Sequence, residues 1–219
     1  MTSFIEHPYV QIFGLLFGGF GLSLLVWSLR GAKKVASGES VLERYDDYLL
    51  SAAQFHEINE AYEFMKFHVG ALNISPLNTW KARHNLNPNT LFLLRVRSSK
   101  PGPSEHELKG VFSFIPVTQA AVDLLNLNKL SAGGFEKQHI ASSVDEADGF
   151  YISILIGEGA IAKGVLISHL RLKVLEAVAA DKPTFARPAT SLGLRTAKDF
   201  SFAPVQDGMN QLHEIHRYH

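Results

Sequence analysis

The stretch GFYISILIGEGAIAKGVLISHLRLKVL, Gly149–Leu175, reads as a strand, a turn and the start of a long helix. Gly149–Ile156 is rich in aromatic and β-branched residues, the composition of a strand that packs on both faces. Strict alternation along it puts Tyr151 and Ser153 on one face, opposite Phe150, Ile152 and Ile154. Small residues then make a turn, and apolar side chains recur at helical spacing from about Ala160 to Ala180. A helix that begins this way offers backbone N–H groups with no internal partner, and its dipole adds positive potential. Those donors suit a phosphate or pyrophosphate. Ile156, Gly157, Gly159, Ala160, Ala162 and Gly164 are the residues such a group would approach, and Lys163 adds a charge. An ordinary strand–helix turn also favours glycine, so the residues alone leave both readings open.

Working outward, TLFLLRVR (90–97) and GVFSFIP (110–116) read as two paired strands separated by the turn-forming SSKPGPS. NLNPN (85–89) is a turn before them, and Thr118–Asn126 a short helix with Thr118 as its cap. From Leu42 to about Gly70 apolar residues recur at i, i+3 and i+4, which predicts two helices or one broken near Ser51–Gln54. Downstream of the long helix, Lys182–Ala186 is a short strand, Ser191–Phe200 a helix and Phe202–Val205 a further short strand. This order makes residues 42–208 an α/β (α+β) domain with a mixed central sheet flanked by helices.

Three stretches resemble the GNAT superfamily of acyl-CoA N-acyltransferases. Leu91–Arg97 with Gly110–Pro116 looks like the family's central hairpin, Gly149–Leu175 like its cofactor motif, and FARPATSLGLRTAKDFSFAPV (185–205) like its C-terminal pattern. The resemblance implies acetyl-CoA or a longer acyl-CoA as co-substrate and an amine as acceptor. It also implies that the cofactor strand lines the site, which singles out Tyr151 and Ser153, and Asp148 before them, as catalytic candidates. Departures are plain. The family's loop, Q/R-x-x-G-x-G/A, is matched best by Gly157-Glu-Gly-Ala160-Ile-Ala162, which lacks the opening basic or amide residue. Glu158 brings a negative charge near the expected pyrophosphate, unfavourable unless it turns away. The tyrosine that often donates a proton in the late helix aligns near Ala197. His169, beside Leu166 and Leu170, reads more readily as a packed helix residue than as a catalyst, and Arg187 as an anion binder or a cap on the sheet edge.

Tyr9–Leu29, YVQIFGLLFGGFGLSLLVWSL, holds no charge over 21 residues, enough for a helix across a bilayer's hydrocarbon core of roughly 30 Å. Residues 1–8 carry no Lys or Arg, unlike a cleaved leader, whereas Arg30, Lys33 and Lys34 follow the run. This charge bias predicts a single-pass anchor with the N-terminus outside and the domain cytoplasmic. Gly14 and Gly18 form a G-x-x-x-G that suits pairing of two copies. Residues 30–41 read as a linker.

Lys plus Arg equals Asp plus Glu at 21 each, so nothing marks a nucleic-acid binder. With no cysteine, the chain has no disulfide, thiolate metal site or cysteine nucleophile. The tail 209–219 spaces His213, His216 and His219 by three, but a frayed terminal helix is the better reading than a metal site. The expectation is thus a membrane-anchored N-acyltransferase acting at the membrane surface. The alternative is a catalytically degenerate GNAT-like module that assembles a membrane complex, and a weaker third reading is a lipid or acyl-amino-acid sensor.

Overall fold

A computed structural model describes residues 47–97, 106–130, 133–205 and 216–218. The apolar run 9–29, with Gly14 and Gly18, and the linker 30–41 lie outside the described residues, as do His213 and His219. No helix among the described residues is long and apolar enough to cross a membrane.

The strands are β1 (Tyr48–Ala52), β2 (Leu91–Arg97), β3 (His106–Val117), β4 (Gly149–Gly157), β5 (Thr184–Ala186), β6 (Phe202–Pro204) and β7 (His216–Tyr218). The helices are α1 (Ile58–Val69), α2 (Leu77–Leu86), α3 (Gln119–Asn126), α4 (Gly159–Ala179) and α5 (Ser191–Asp199). The described strands form one mixed sheet in the order β1-β2-β3-β4-β5-β7-β6. Neighbours run antiparallel except β4 and β5, which run parallel, joined by α4 as the crossover. The three stretches that carried the family resemblance become β2–β3, β4–α4 and β5–α5–β6.

Both faces of the sheet are covered. On one side α4 packs Ala162, Val165, Leu166 and Leu170 against Phe112, Phe114 and Phe150. On the other, α1 and α2 bring Ile58, Met65 and Trp80 onto Leu91, Leu93 and Val111. Beside them α3 places Val122 and Leu125 with Ile115, Tyr151 and Phe185. Leu166 has no solvent exposure, and its closeness to the sheet demands glycine beneath it. A Cβ on Gly110 would stand 2.5 Å from Leu166 Cδ1 and 2.9 Å from the Ile156 carbonyl, and one on Gly157 3.0 Å from the Lys163 nitrogen.

Three expectations need correction. Tyr48–Ala52 is not helical but an edge strand, paired with β2 from Tyr48↔Val96 to Ala52↔Phe92. Its alternating burial is that of a strand, and the free edge of β2 overrides its local helical spacing. The reading of a frayed terminal helix fails for His216–Tyr218, which insert as β7 between β5 and β6. Finally, Ile154 does not share a face with Phe150 and Ile152. Ser113 pairs with Ile154 but Phe114 with Ile152, so β4 carries one extra residue, Ser153, at a bulge. Ile152 packs with the α4 cluster, whereas Ile154 and Ile156 pack with α1 and α2.

Candidate functional site

β4 and β5 pair only over Phe150↔Thr184, Tyr151↔Phe185 and Ile152↔Ala186. Beyond Ile152 the β5-facing edge of β4 has no strand partner among the described residues, because β5 ends at Ala186 and the chain turns away through Arg187 and Pro188. The two strands therefore part like a fork. The parting begins at the bulge of Ser153, and the residues of β4 beyond it are half-buried. Unpaired backbone at a bulge is a place where main-chain groups can meet a ligand.

The unpaired edge leads into the turn before α4. Glu158 is the residue before the helix, and its side chain makes no cap to it. Instead Glu158 donates its N–H to the Lys109 carbonyl at 2.8 Å, and its carboxylate accepts from Lys109 Nζ at 3.3 Å. Lys109 reaches it because β3 bulges there: Leu94 pairs with Gly110 but Arg95 with Leu108. The charge that threatened the phosphate reading is thus paired with Lys109, which Glu107 also engages at 2.8 Å. Gly159 follows with φ +83°, a conformation that favours glycine, and nothing stands within 4 Å of where its Cβ would lie. Gly159, Ala160 and Lys163 are exposed at the helix start, Gly164 is half-buried, and Ala162 is buried in the α4 core. Of the residues named from sequence for this role, Gly157, Ala162 and Ile156 serve packing, while Gly159, Ala160 and Lys163 border the open N-terminus. These residues fit a pyrophosphate: uncapped donors, a small-residue approach and one cation.

Next to the bulge, on the α2 side, Tyr151 is 1% exposed. Its ring lies 4.8 Å from Phe135, and Arg187 hydrogen-bonds its hydroxyl. Arg187 also donates to Asn128 Oδ1 and to the Leu130 carbonyl, both at 3.1 Å. Arg83 of α2 lies over the rings of Trp80 at 5.4 Å and Phe135 at 5.7 Å. Burial pushes the Tyr151 phenol above its ordinary value, against the pull of the Arg187 and Arg83 charges. The phenol is therefore neutral at physiological pH and can donate a proton but not serve as a ready base. Ser153 at the bulge has its Oγ buried without a hydrogen-bond partner, as does Ser113 on β3, whose pairing partner is Ile154.

The structure brings Tyr151 and Arg187 together by a hydrogen bond, and Ser153 lies two residues along β4 at the bulge. Asp148 is elsewhere. It sits just before β4, exposed, and its Oδ2 accepts the Gln119 N–H at 2.7 Å, capping α3 in place of the Thr118 side chain. Thr118 Oγ1 donates instead to the Gln138 carbonyl. His169 is exposed on α4, away from the sheet. Ala197 of α5, where the family's tyrosine aligns, is buried in the core cluster that α4 also enters. Sequence reasoning missed Arg83 and Ser113. Arg83 lies in the uninterpreted segment before NLNPN, and Ser113 shows only as one polar residue inside an apolar strand. A cavity of about 330 Å³ lined by Phe92, Phe114, Phe150, Lys173 and Lys182 lies on the opposite, α4 face and does not include the fork residues.

The sequence matches no family profile. Nor does it match any curated protein sequence. Among solved structures the chain is similar to the mosquito arylalkylamine N-acetyltransferase-like 5b, with a TM-score of 0.46 and 11% identity, over 78% of this chain and 97% of that one. It is also similar to a Corynebacterium glutamicum structure of histone acetyltransferase HPA2 and related acetyltransferase, with a TM-score of 0.44 and 12% identity, over 78% of this chain and 94% of that one.

Proposed function

We propose that this chain is an acyl-CoA-dependent N-acyltransferase, tethered to a membrane by residues 9–29 with its domain on the cytoplasmic side. The observation that carries the reading is the fork: β4 parts from β5 at a bulge, and its unpaired edge runs directly to an uncapped, glycine-led helix start. A thioester lying along that edge would have donors at its phosphate end and bulged main chain at its carbonyl end. Acyl-CoA, or acetyl-CoA as its shortest form, supplies the activated acyl group. This chain's residues do the rest. Gly159, Ala160 and Lys163 receive the pyrophosphate. The backbone around Ser153 orients the carbonyl and polarises it. Tyr151, held neutral by burial, is the candidate to hand a proton to the departing thiolate, while the acceptor amine is deprotonated by water at the open side.

Calorimetry tests this directly. CoA at a concentration 100 times its dissociation constant would stabilise the fold by about 2.7 kcal/mol. That corresponds to a rise in melting temperature of roughly 5–10 °C for a domain of this size. Gly164→Glu, on the first turns of α4, should abolish the shift. No heat of binding at millimolar CoA would defeat the proposal.

A second reading has one observation in its favour. Ala197 fills the family's tyrosine position with a buried methyl, and the loop lacks the family's opening side chain. A GNAT-like module that binds without catalysis would show CoA binding with no acyl transfer to any amine, and unaltered binding in Tyr151→Phe.

A further inference from the structure

The cavity on the α4 face of the sheet takes no part in the acyltransferase reading. It lies against the last turns of α4, at the other end of that helix from Gly159 and Lys163. Its origin is a change in side-chain size. Earlier turns of α4 fill the space over the sheet with Val165, Leu166, Leu170 and Val174. Near the helix end the positions that line the cavity are Ala177 and, one residue past α4, Ala180. Their methyl groups leave room over Phe92, Phe114 and Phe150. The space amounts to about 330 Å³, at the small end of the range for ligand pockets. Phe114 and Phe150 are stacked 18° from parallel, with centroids 4.6 Å apart. Phe92 stacks on Phe112 at 4.7 Å, and the Lys173 ammonium lies 5.3 Å from the Phe92 ring.

The charged residues that line this cavity are sorted by depth. Lys173 and Lys182 are half-buried, whereas Asp145 and Glu176 are exposed. Lys173 meets Glu176 only at 3.6 Å, a surface pair of little worth. Lys182 donates to the Val144 and Asp145 carbonyls at 3.2 and 3.1 Å, and no carboxylate of the described residues lies within 4.0 Å of it. An ammonium carries three donors, so both lysines keep some unspent. Aromatic surface within and ammonium groups beside it are the complement of a flat ring bearing an anion. A cationic ligand would meet two like charges, and an aliphatic chain would gain nothing from ring stacking. We propose that this cavity binds an aromatic carboxylate, its ring stacked on Phe92 under Ala177 and its carboxylate held by Lys173 and Lys182. Lys173 gives up its place over Phe92 at small cost, since such a contact near the surface is weak. The ligand would sit behind the fork, because Phe150 and Tyr151 are successive residues of β4 packed on opposite faces of the sheet. The inference goes beyond the acyltransferase reading and does not depend on it.

The test uses the full-length chain in detergent micelles, with micelles alone as the blank, and three probes titrated by calorimetry. Benzoate carries both features, benzamide keeps the ring without the charge, and cyclohexanecarboxylate keeps the charge without the aromatic faces. Benzoate should bind at least about tenfold more tightly than benzamide, the loss expected when a charged hydrogen bond is removed. It should bind at least about threefold more tightly than cyclohexanecarboxylate, the worth of an aromatic pair. Lys173→Gln should weaken benzoate about fivefold and leave benzamide unchanged. Ala177→Leu fills the cavity and should abolish benzoate binding. Ala177 is buried, so Ala180→Leu, at an exposed position, is measured beside it, and near-ultraviolet circular dichroism confirms that each variant is folded. Absence of benzoate binding at millimolar concentration overturns the inference. So does equal binding of benzoate and either other probe, or benzoate binding that persists in the folded leucine variants.

Discussion

Asp148 shows how a residue's place decides its role. It lies just before β4, yet its carboxylate holds the first N–H of α3 rather than the fork. Asp148→Ala should therefore cost about 1 kcal/mol of stability, the usual worth of a helix cap. The rate of acyl transfer per folded molecule should not change, and a rate loss of tenfold or more would restore the catalytic reading. Gly110 works by absence. Its missing Cβ lets Leu166 and the Ile156 carbonyl approach, and the carbonyl belongs to backbone that cannot swing aside. Gly110→Ala should destabilise by about 1–3 kcal/mol, as overpacking does, and urea denaturation reads the loss directly. A neutral outcome would mean that α4 rides on the sheet more loosely than the contact distance implies.

Among the elements, α2 and β7 were the hardest to anticipate. α2 reads LNTWKARHNL and has no apolar stripe, because its inward face is made of Trp80, Arg83 and His84. The spacing rule looks for apolar residues and cannot see a buried polar face. β7 is three residues long and carries no alternation worth the name; it forms because β5 and β6 each present an edge to it. Removing residues 216–219 strips both short strands of their shared partner. The expected result is a lower melting temperature by scanning calorimetry, with about 1 kcal/mol lost per ladder hydrogen bond. Weaker CoA binding should accompany it, since β5 forms one arm of the fork. By contrast α4 was legible end to end, because apolar residues recur along its buried face and a glycine-bearing turn marks its start.

At the scale of the whole molecule, pH reports on burial. The His84 imidazole is pushed below its ordinary value by burial, so the folded chain holds its proton less well than the unfolded chain does. Stability from this group is complete above about 6.5 and is lost as pH falls from there through the lowered folded value. Urea melts between pH 6.5 and pH 5.5 should show stability declining with acid, and His84→Gln should flatten the slope. An unchanged slope in the variant would place the titration elsewhere.

The sequence alone determined the long-range plan: a mixed sheet with helices, the paired strands β2 and β3, and the strand–turn–helix of β4 and α4. Those features are written in periodicity and in turn chemistry, both of which are local. Tertiary structure decided the rest. It drew Tyr48–Ala52 into the sheet against its helical spacing and placed β7 between two strands that precede it. It turned Glu158 aside onto Lys109 and set Arg83 and Arg187, 104 positions apart in the chain, about one buried tyrosine. Each of these depends on an unpaired edge or a side-chain partner supplied by a distant segment, and no local pattern carries that information.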